Sequence, residues 1–142
     1  MESSISFSTK SIPLVSLNFE SVRSWINLAV QKEGSEMGEI NFVFCTDEEL
    51  LDINVEFLQH DAFTDIITFD YSTEGHISGE IFISHDRVVA NATRMQIPVV
   101  EEFHRIIIHG VLHLLGYNDK STIEKSIMTS KEDYYLSLQT KF

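Results

Sequence analysis

The stretch from residue 98 to residue 115, PVVEEFHRIIIHGVLHLL, is apolar around most of a helical circumference. A helix of this kind is usually buried in a protein core. Four of its polar residues recur at helical spacing and form one narrow stripe, which consists of Glu102, Arg105, His109 and His113. A buried polar group without a partner costs about 1–3 kcal/mol. We therefore predict a central buried helix, with Pro98 in its first turn, whose polar stripe faces a cleft or a bound ligand.

Two histidines and a following turn give this helix the spacing of a metal site. His109 and His113 are four residues apart, which places their Cβ atoms about 5–6 Å apart on one helix face. Gly116 can end the helix in a left-handed conformation, and Asp119 follows as a third candidate ligand. Zinc binds histidine nitrogen and carboxylate oxygen at about 2.0–2.2 Å. We predict one zinc ion per chain, held by His109, His113 and Asp119, with another transition metal as the alternative.

The same residues also allow an interpretation without this ligand set. The two histidines can be hydrogen-bonded core residues. Asp119 can be a solvated turn residue, in which case water or Asn118 fills the third ligand position. The other histidines are predicted to be surface residues rather than ligands, namely His76, His85 and His104. The loop that carries His60 gains a role only if the fold brings it over the site.

Length and composition predict one globular domain that spans residues 1–142, because 43% of the residues are hydrophobic and the chain is long enough to bury a core. The N-terminus lacks the basic and apolar segments of a signal peptide, and no apolar run is long enough to span a membrane. The single cysteine, Cys45, excludes an intrachain disulfide and is predicted to be a buried thiol. The expected compartment is the cytoplasm.

The formal net charge of −12 argues against a nucleic-acid partner, because only ten Lys and Arg residues accompany 22 acidic ones. Charge alone favours a small-molecule or peptide substrate. A local basic cleft on an acidic protein remains compatible with this composition.

Hydrophobic periodicity and capping signals predict that strands and helices alternate along the chain. Thr46 and Ser84 are predicted helix caps, with Leu50, Leu51, Val55 and Leu58 as the buried face of the helix after Thr46. The predicted strands cover residues 4–8, 39–45, 66–71 and 79–84, and the predicted helices cover residues 19–32, 46–58, 85–95, 98–115 and 122–138. We predict an α+β (α/β-like) fold with a small mixed sheet of about four strands, packed against helices, in which the central buried helix carries the metal ligands.

Three sequence blocks resemble the YbeY family of bacterial ribosomal-RNA maturation factors. The family pattern H-G-x-L-H-L-x-G-Y-D-H resembles residues 109–119, P-T-D-V-L-S-F resembles residues 63–69, and G-D-I-x-I-S resembles residues 79–84. The blocks keep their order over nearly half of the chain. The resemblance implies a single-strand-specific, metal-dependent endoribonuclease that acts on ribosomal RNA, in ribosome maturation and quality control.

This chain departs from the family pattern at three positions. The third metal ligand is a histidine in the family and falls on Asp119 here. The family arginine ahead of the second block, a proposed catalytic or RNA-contacting residue, falls on Leu58, and the family proline falls on Phe63. The nearest replacement for the arginine is Arg105, one turn before His109, which can neutralise charge on a phosphate or serve as a partner of Glu102 or a backbone carbonyl.

Gly110 stands where zinc proteases of a related motif carry the glutamate that acts as general base. Phosphodiester cleavage is therefore favoured over peptide hydrolysis by the usual route. We predict a zinc-dependent endoribonuclease with RNA and the ribosome as partners, no membrane association, and Arg105 as the candidate catalytic residue. The alternatives are a metal-dependent hydrolase of a peptide or small molecule, and a ribosome-assembly protein whose metal is largely structural.

Overall fold

The computed structural model describes residues 4–139, which form a four-stranded mixed sheet and five helices. The strands are β1 (Ile5–Thr9), β2 (Glu36–Cys45), β3 (Ile66–Asp70) and β4 (His76–Ser84). Their spatial order is β1-β2-β4-β3, in which β2 pairs in parallel with both β1 and β4, whereas β3 pairs antiparallel to β4. The predicted α+β class with a mixed sheet of about four strands is confirmed.

The helices are α1 (Phe19–Lys32), α2 (Asp47–Leu58), α3 (His85–Met95), α4 (Val99–Leu114) and α5 (Thr122–Gln139). Local side-chain caps determine where several of them begin. Thr46 forms a complete capping box with Glu49, and the side chain of Ser84 accepts a hydrogen bond from the Arg87 backbone. Both predicted caps are confirmed. Among the described residues, no helix combines the length and apolar character needed to cross a membrane.

Helix α4 lies against the sheet at the centre of the core and is buried along most of its length. Its close approach depends on Gly110, where an added Cβ would lie 3.0 Å from Cδ1 of Ile81 and 3.1 Å from Cδ1 of Ile66. A larger residue would therefore require the side chains of Ile66 and Ile81 to shift by a few tenths of an ångström. The predicted central buried helix is confirmed, with Pro98 as the residue that precedes it.

Helix α2 turns a different face to the core from the predicted one. Val55 and Leu58 are 45% and 42% exposed, while Ile53 and Asn54 are buried beside Leu50. The prediction was wrong for the two C-terminal positions because α2 turns Ile53 and Asn54 inward, which leaves Leu58 on the wall of an open groove. The side chain of Asn54 instead donates a 2.8 Å hydrogen bond to the carbonyl oxygen of Ala62, which holds the following loop.

Three other details differ from the sequence predictions. Strand β4 begins at His76 because it pairs with Glu36, the first residue of β2. The apolar run over residues 39–45 favours a strand buried on both faces, but Asn41 of β2 is exposed. His104 is buried rather than on the surface, and its ring packs against Trp25 with the centroids 5.6 Å apart. The predicted buried thiol of Cys45 is confirmed.

Candidate metal centre and adjoining groove

The two histidines of the α4 polar stripe point their Nε2 atoms at each other, 3.0 Å apart. Oδ2 of Asp119 lies 3.3 Å from Nε2 of His109 and 3.5 Å from Nε2 of His113. Among residues 4–139, these three residues are the one group of three or more His, Cys, Asp or Glu residues whose donor atoms lie within 4.8 Å of one another. The fold thus brings all three predicted ligand residues together.

The spacing of these donor atoms fits a zinc ion. A tetrahedral zinc with bonds of about 2.0–2.1 Å separates its ligand atoms by roughly 3.3 Å. The three observed separations, 3.0, 3.3 and 3.5 Å, lie on either side of that value. The side chains are partly exposed, from 21% for His109 to 39% for Asp119, so a fourth position would be open to solvent or substrate.

Asp119 reaches the histidines through the turn that ends α4. Gly116 adopts a φ of +103°, a left-handed conformation that glycine tolerates without a Cβ penalty. The backbone N–H groups of Gly116 and Tyr117 donate 3.0 Å hydrogen bonds to the carbonyl oxygens of His113 and Leu112. The predicted helix end at Gly116 is confirmed, and the chain folds back over the histidine face of the helix.

A buried glutamate from α5 contacts the outer nitrogen of His109. Nδ1 of His109 lies 2.6 Å from Oε2 of Glu132, whose exposed fraction is 6%. Burial alone lowers the pKa of His109, but the hydrogen bond and charge of Glu132, helped by Asp119, outweigh it and raise that pKa. For His113, burial and the neighbouring His109 lower the pKa, and Asp119 opposes them only in part. The two imidazoles are therefore not equivalent.

Arg105 is engaged by two carboxylates of α5. Its Nη1 atom donates to Oε1 of Glu132 and its Nη2 atom to Oδ1 of Asp133, each at 2.7 Å. The sequence suggested Glu102 or a backbone carbonyl as the partner of Arg105, but the observed partners are Glu132 and Asp133. Two of the five guanidinium N–H groups are thereby committed, and 36% of the side chain is exposed.

Glu102 lies one turn before Arg105 and lacks a partner. Its Oε1 atom is the one buried side-chain nitrogen or oxygen atom without a hydrogen bond among the described residues. Burial raises the pKa of Glu102, which Arg105 opposes, and the charges of Asp65 and Glu132 raise it further. The carboxylate lines a small cavity of about 130 Å³ together with Asp65, His109 and Glu132.

Glu132 was not among the site residues predicted from the sequence. The buried residues of α5 are Met128, Glu132 and Tyr135. These positions follow helical spacing, so Glu132 is a charged residue within an apolar stripe. That pattern was visible in the sequence and is the same signal that identified the stripe of α4.

An open groove of about 580 Å³ ends at His113. It is lined by the C-terminal turn of α2, the loop that follows, and strand β3. Leu58, the position of the family arginine, lines it together with His60 and Phe63, so the His60 loop does lie beside the site. No Lys or Arg is among the lining residues, which are Asn54, Leu58, His60, Ala62, Phe63, Thr64, Ile66, Ile67, Thr68, Asp70 and His113.

The fold and the cluster define a small α+β protein with two histidines and a carboxylate in the arrangement that three-ligand hydrolytic metal sites use. The family model described as Endoribonuclease YbeY matches residues 5–139. A protein of the same description from Cytophaga hutchinsonii is 51% identical over 119 residues, which cover 83% of each chain. Another from Phocaeicola vulgatus is 42% identical over 134 residues, covering 94% of this chain and 97% of that protein. The chain belongs to the YbeY endoribonuclease family.

A solved structure supports the fold assignment. The solution structure of a Thermotoga maritima protein superposes with a TM-score of 0.68 and covers 95% of this chain and 88% of its own. The two sequences are 23% identical, so this likeness concerns the fold alone.

Proposed function

We propose that this protein is a zinc-dependent endoribonuclease that cleaves single-stranded RNA in ribosomal-RNA maturation and ribosome quality control, in the cytoplasm. The observation that carries the proposal is the spacing of the His109, His113 and Asp119 donor atoms in a member of the YbeY endoribonuclease family. Family membership supports the RNA substrate. The donor set supports zinc, because imidazole and carboxylate ligands both suit it.

Zinc held by these three residues would supply Lewis-acid chemistry, which polarises a phosphoryl oxygen and makes an attacking hydroxyl more acidic. The chain itself supplies position and charge. The groove that reaches His113 is our candidate path for the RNA strand beside the cluster. The uncommitted N–H groups of Arg105 are our candidates for contact with a phosphate oxygen, one turn along the helix from His109.

The packing of Gly110 argues against peptide hydrolysis by the route of related zinc proteases. Those enzymes need a glutamate at this position as general base. Here a Cβ atom at Gly110 would already lie 3.0–3.1 Å from side-chain carbons of Ile81 and Ile66, which is a tight contact. A glutamate would have to enter the core between helix and sheet, on the side away from the solvent. The site therefore favours a substrate whose nucleophile needs no base at Gly110.

A ribosome-assembly protein with a largely structural metal is the second candidate. It is favoured by the absence of Lys and Arg from the residues that line the groove, including Leu58 at the family arginine position. Such a groove attracts phosphate weakly, because phosphate contacts by basic side chains dominate RNA affinity.

Cleavage of a single-stranded RNA by the purified protein tests the proposal. We expect wild-type protein to cut it and His113→Ala to have lost the activity. The matched control is His76→Ala, prepared in parallel, because His76 is exposed and its ring contacts Glu36 and the carbonyl oxygen of Glu74 rather than the cluster. Equal cleavage by all three proteins would indicate a contaminating nuclease. RNA binding without cleavage by metal-loaded wild-type protein would favour the assembly protein.

A further inference from the structure

We infer that Glu132 is a positioning residue of the metal centre: its carboxylate holds the proton of His109 on Nδ1 and so directs the Nε2 lone pair towards the ion. The inference rests on the proposed function, because it takes His109 as a ligand. Glu132 belongs to α5, which contributes none of the three candidate ligands.

The geometry around His109 is that of a ligand with an oriented outer nitrogen. Nε2 faces His113 and Asp119, while Nδ1 lies 2.6 Å from Oε2 of Glu132. Only one ring nitrogen of a neutral imidazole carries a proton. A carboxylate can only accept, so Glu132 requires that proton on Nδ1. Carboxylate partners of this kind fix the tautomer of metal-bound histidine and increase its basicity.

The carboxylate is itself held in place. Its exposed fraction is 6%, and its second oxygen accepts a 2.7 Å hydrogen bond from Arg105. A buried carboxylate needs such compensation, because removing it from water without a partner is costly. Both oxygens are thus used, one by a cation and one by His109. This leaves Glu132 little freedom to rotate away from the imidazole.

Asp133 is a natural control for Glu132. It is the next residue of α5 and also accepts a hydrogen bond from Arg105, but its side chain is 60% exposed. Among the described residues, its hydrogen bond and ion pair are with Arg105 and not with His109. Glu132→Gln and Asp133→Asn therefore each remove one negative charge beside Arg105, and only the first removes the carboxylate from the imidazole.

The test measures zinc affinity by competition with a chelator for wild type, Glu132→Gln, Asp133→Asn and His109→Ala. We expect Glu132→Gln to weaken zinc binding by roughly 10–100-fold, the usual effect of losing an orienting partner. Asp133→Asn should bind zinc as wild type does. Wild-type affinity in Glu132→Gln, combined with loss of zinc in His109→Ala, overturns the role of Glu132 alone. Wild-type affinity in His109→Ala overturns the metal site and with it the proposed function.

A second measurement uses the unaltered protein and does not depend on the folding of any variant. Nitrogen-15 NMR of the zinc-loaded wild type reports which ring nitrogen of His109 carries the proton. We expect a protonated Nδ1, with the proton protected from solvent exchange by Glu132. A proton on Nε2, or an Nδ1 proton that exchanges as fast as one in water, contradicts the inference.

Discussion

The hydroxyl group of Tyr117 donates a 2.5 Å hydrogen bond to Oε1 of Glu33, which ties the turn that carries Asp119 to the end of helix α1. The other oxygen of Glu33 accepts hydrogen bonds from Tyr135 and, at 3.0 Å, from Lys131 of α5. The Glu33 side chain is only 10% exposed. One carboxylate thus joins α1, α5 and the turn after α4.

We expect Glu33→Gln to lower the free energy of unfolding at neutral pH by about 1–3 kcal/mol, because the hydroxyl groups of Tyr117 and Tyr135 and the ammonium group of Lys131 lose their charged acceptor. Burial by itself raises the pKa of Glu33, but hydrogen bonds from Tyr117, Tyr135 and Lys131 outweigh it and lower that pKa. The stabilisation is therefore complete above the ordinary value of 4.5 and is lost as the pH falls through the lowered value.

Chemical denaturation as a function of pH checks this prediction. The difference between wild type and Glu33→Gln should be constant near neutral pH and shrink in acid. Glu36→Gln is the control, since Glu36 is 76% exposed and pairs only with the exposed His76. A Glu33→Gln difference that persists unchanged at low pH would show that the charge of Glu33 contributes nothing.

Glu102→Gln should act in the opposite direction and raise the free energy of unfolding at neutral pH. The cause is the buried carboxylate, whose pKa is raised by burial, against the effect of Arg105, and further by the charges of Asp65 and Glu132. For a raised pKa, stability is greatest below the unfolded value and is lost as the pH rises through the folded value. Thermal unfolding of both proteins at pH 5 and pH 8 should show a gain for Glu102→Gln that is larger at pH 8. A loss of stability at pH 8 would contradict the prediction.

Arg105→Ala should reduce RNA binding and make it less dependent on salt. Each phosphate contact with a single strand contributes about −0.7 to the slope of log affinity against log salt concentration. The loss of Arg105 should therefore make the slope shallower by about that amount. Arg94→Ala is a suitable control, because Arg94 contacts Asn91 on the surface of α3. An unchanged slope in Arg105→Ala would mean that Arg105 acts only through its bonds to Glu132 and Asp133.

The sequence predicted those features that depend on neighbours along the chain. The capping box of Thr46, the cap at Ser84 and the turn at Gly116 were all found where predicted, because each joins residues within a few positions of one another. The cluster of His109, His113 and Asp119 was also predictable, because its members are close together in the sequence. The eleven residues 109–119 contain the end of the helix, the turn and all three side chains.

Contacts between distant segments could not be predicted in the same way. Glu132 approaches His109 from 23 residues further along the chain, and Tyr117 meets Glu33 across 84 residues. Leu58 and Val55 were predicted to be buried from their helical spacing, which does not reveal which face of α2 packs against the sheet. His104 was predicted to be exposed because the sequence alone does not reveal its contact with Trp25, which lies on the distant helix α1.

Asp119 provides the last prediction, because it replaces the histidine that the family pattern has at this position. We expect Asp119→Ala to weaken zinc binding by more than the roughly 10–100-fold that loss of an orienting partner costs, since it removes a ligand atom. Asn118→Ala should bind zinc as wild type does. If Asn118→Ala loses zinc and Asp119→Ala retains it, Asp119 is a solvated turn residue and Asn118 takes its place.

Asp119→His tests the effect of the ligand's charge, because it replaces a carboxylate with a neutral imidazole at the same position. Two neutral histidines and one carboxylate leave the site one unit less positive than three histidines would. A more positive site makes an attacking hydroxyl more acidic, so Asp119→His should keep zinc and move the pH optimum of RNA cleavage lower. The carboxylate should also let a harder ion such as manganese compete better in the wild type than in Asp119→His. Competition between zinc and manganese, measured by elemental analysis after dialysis, checks this without reference to activity. Equal manganese occupancy in the two proteins would contradict a ligand role for the Asp119 carboxylate.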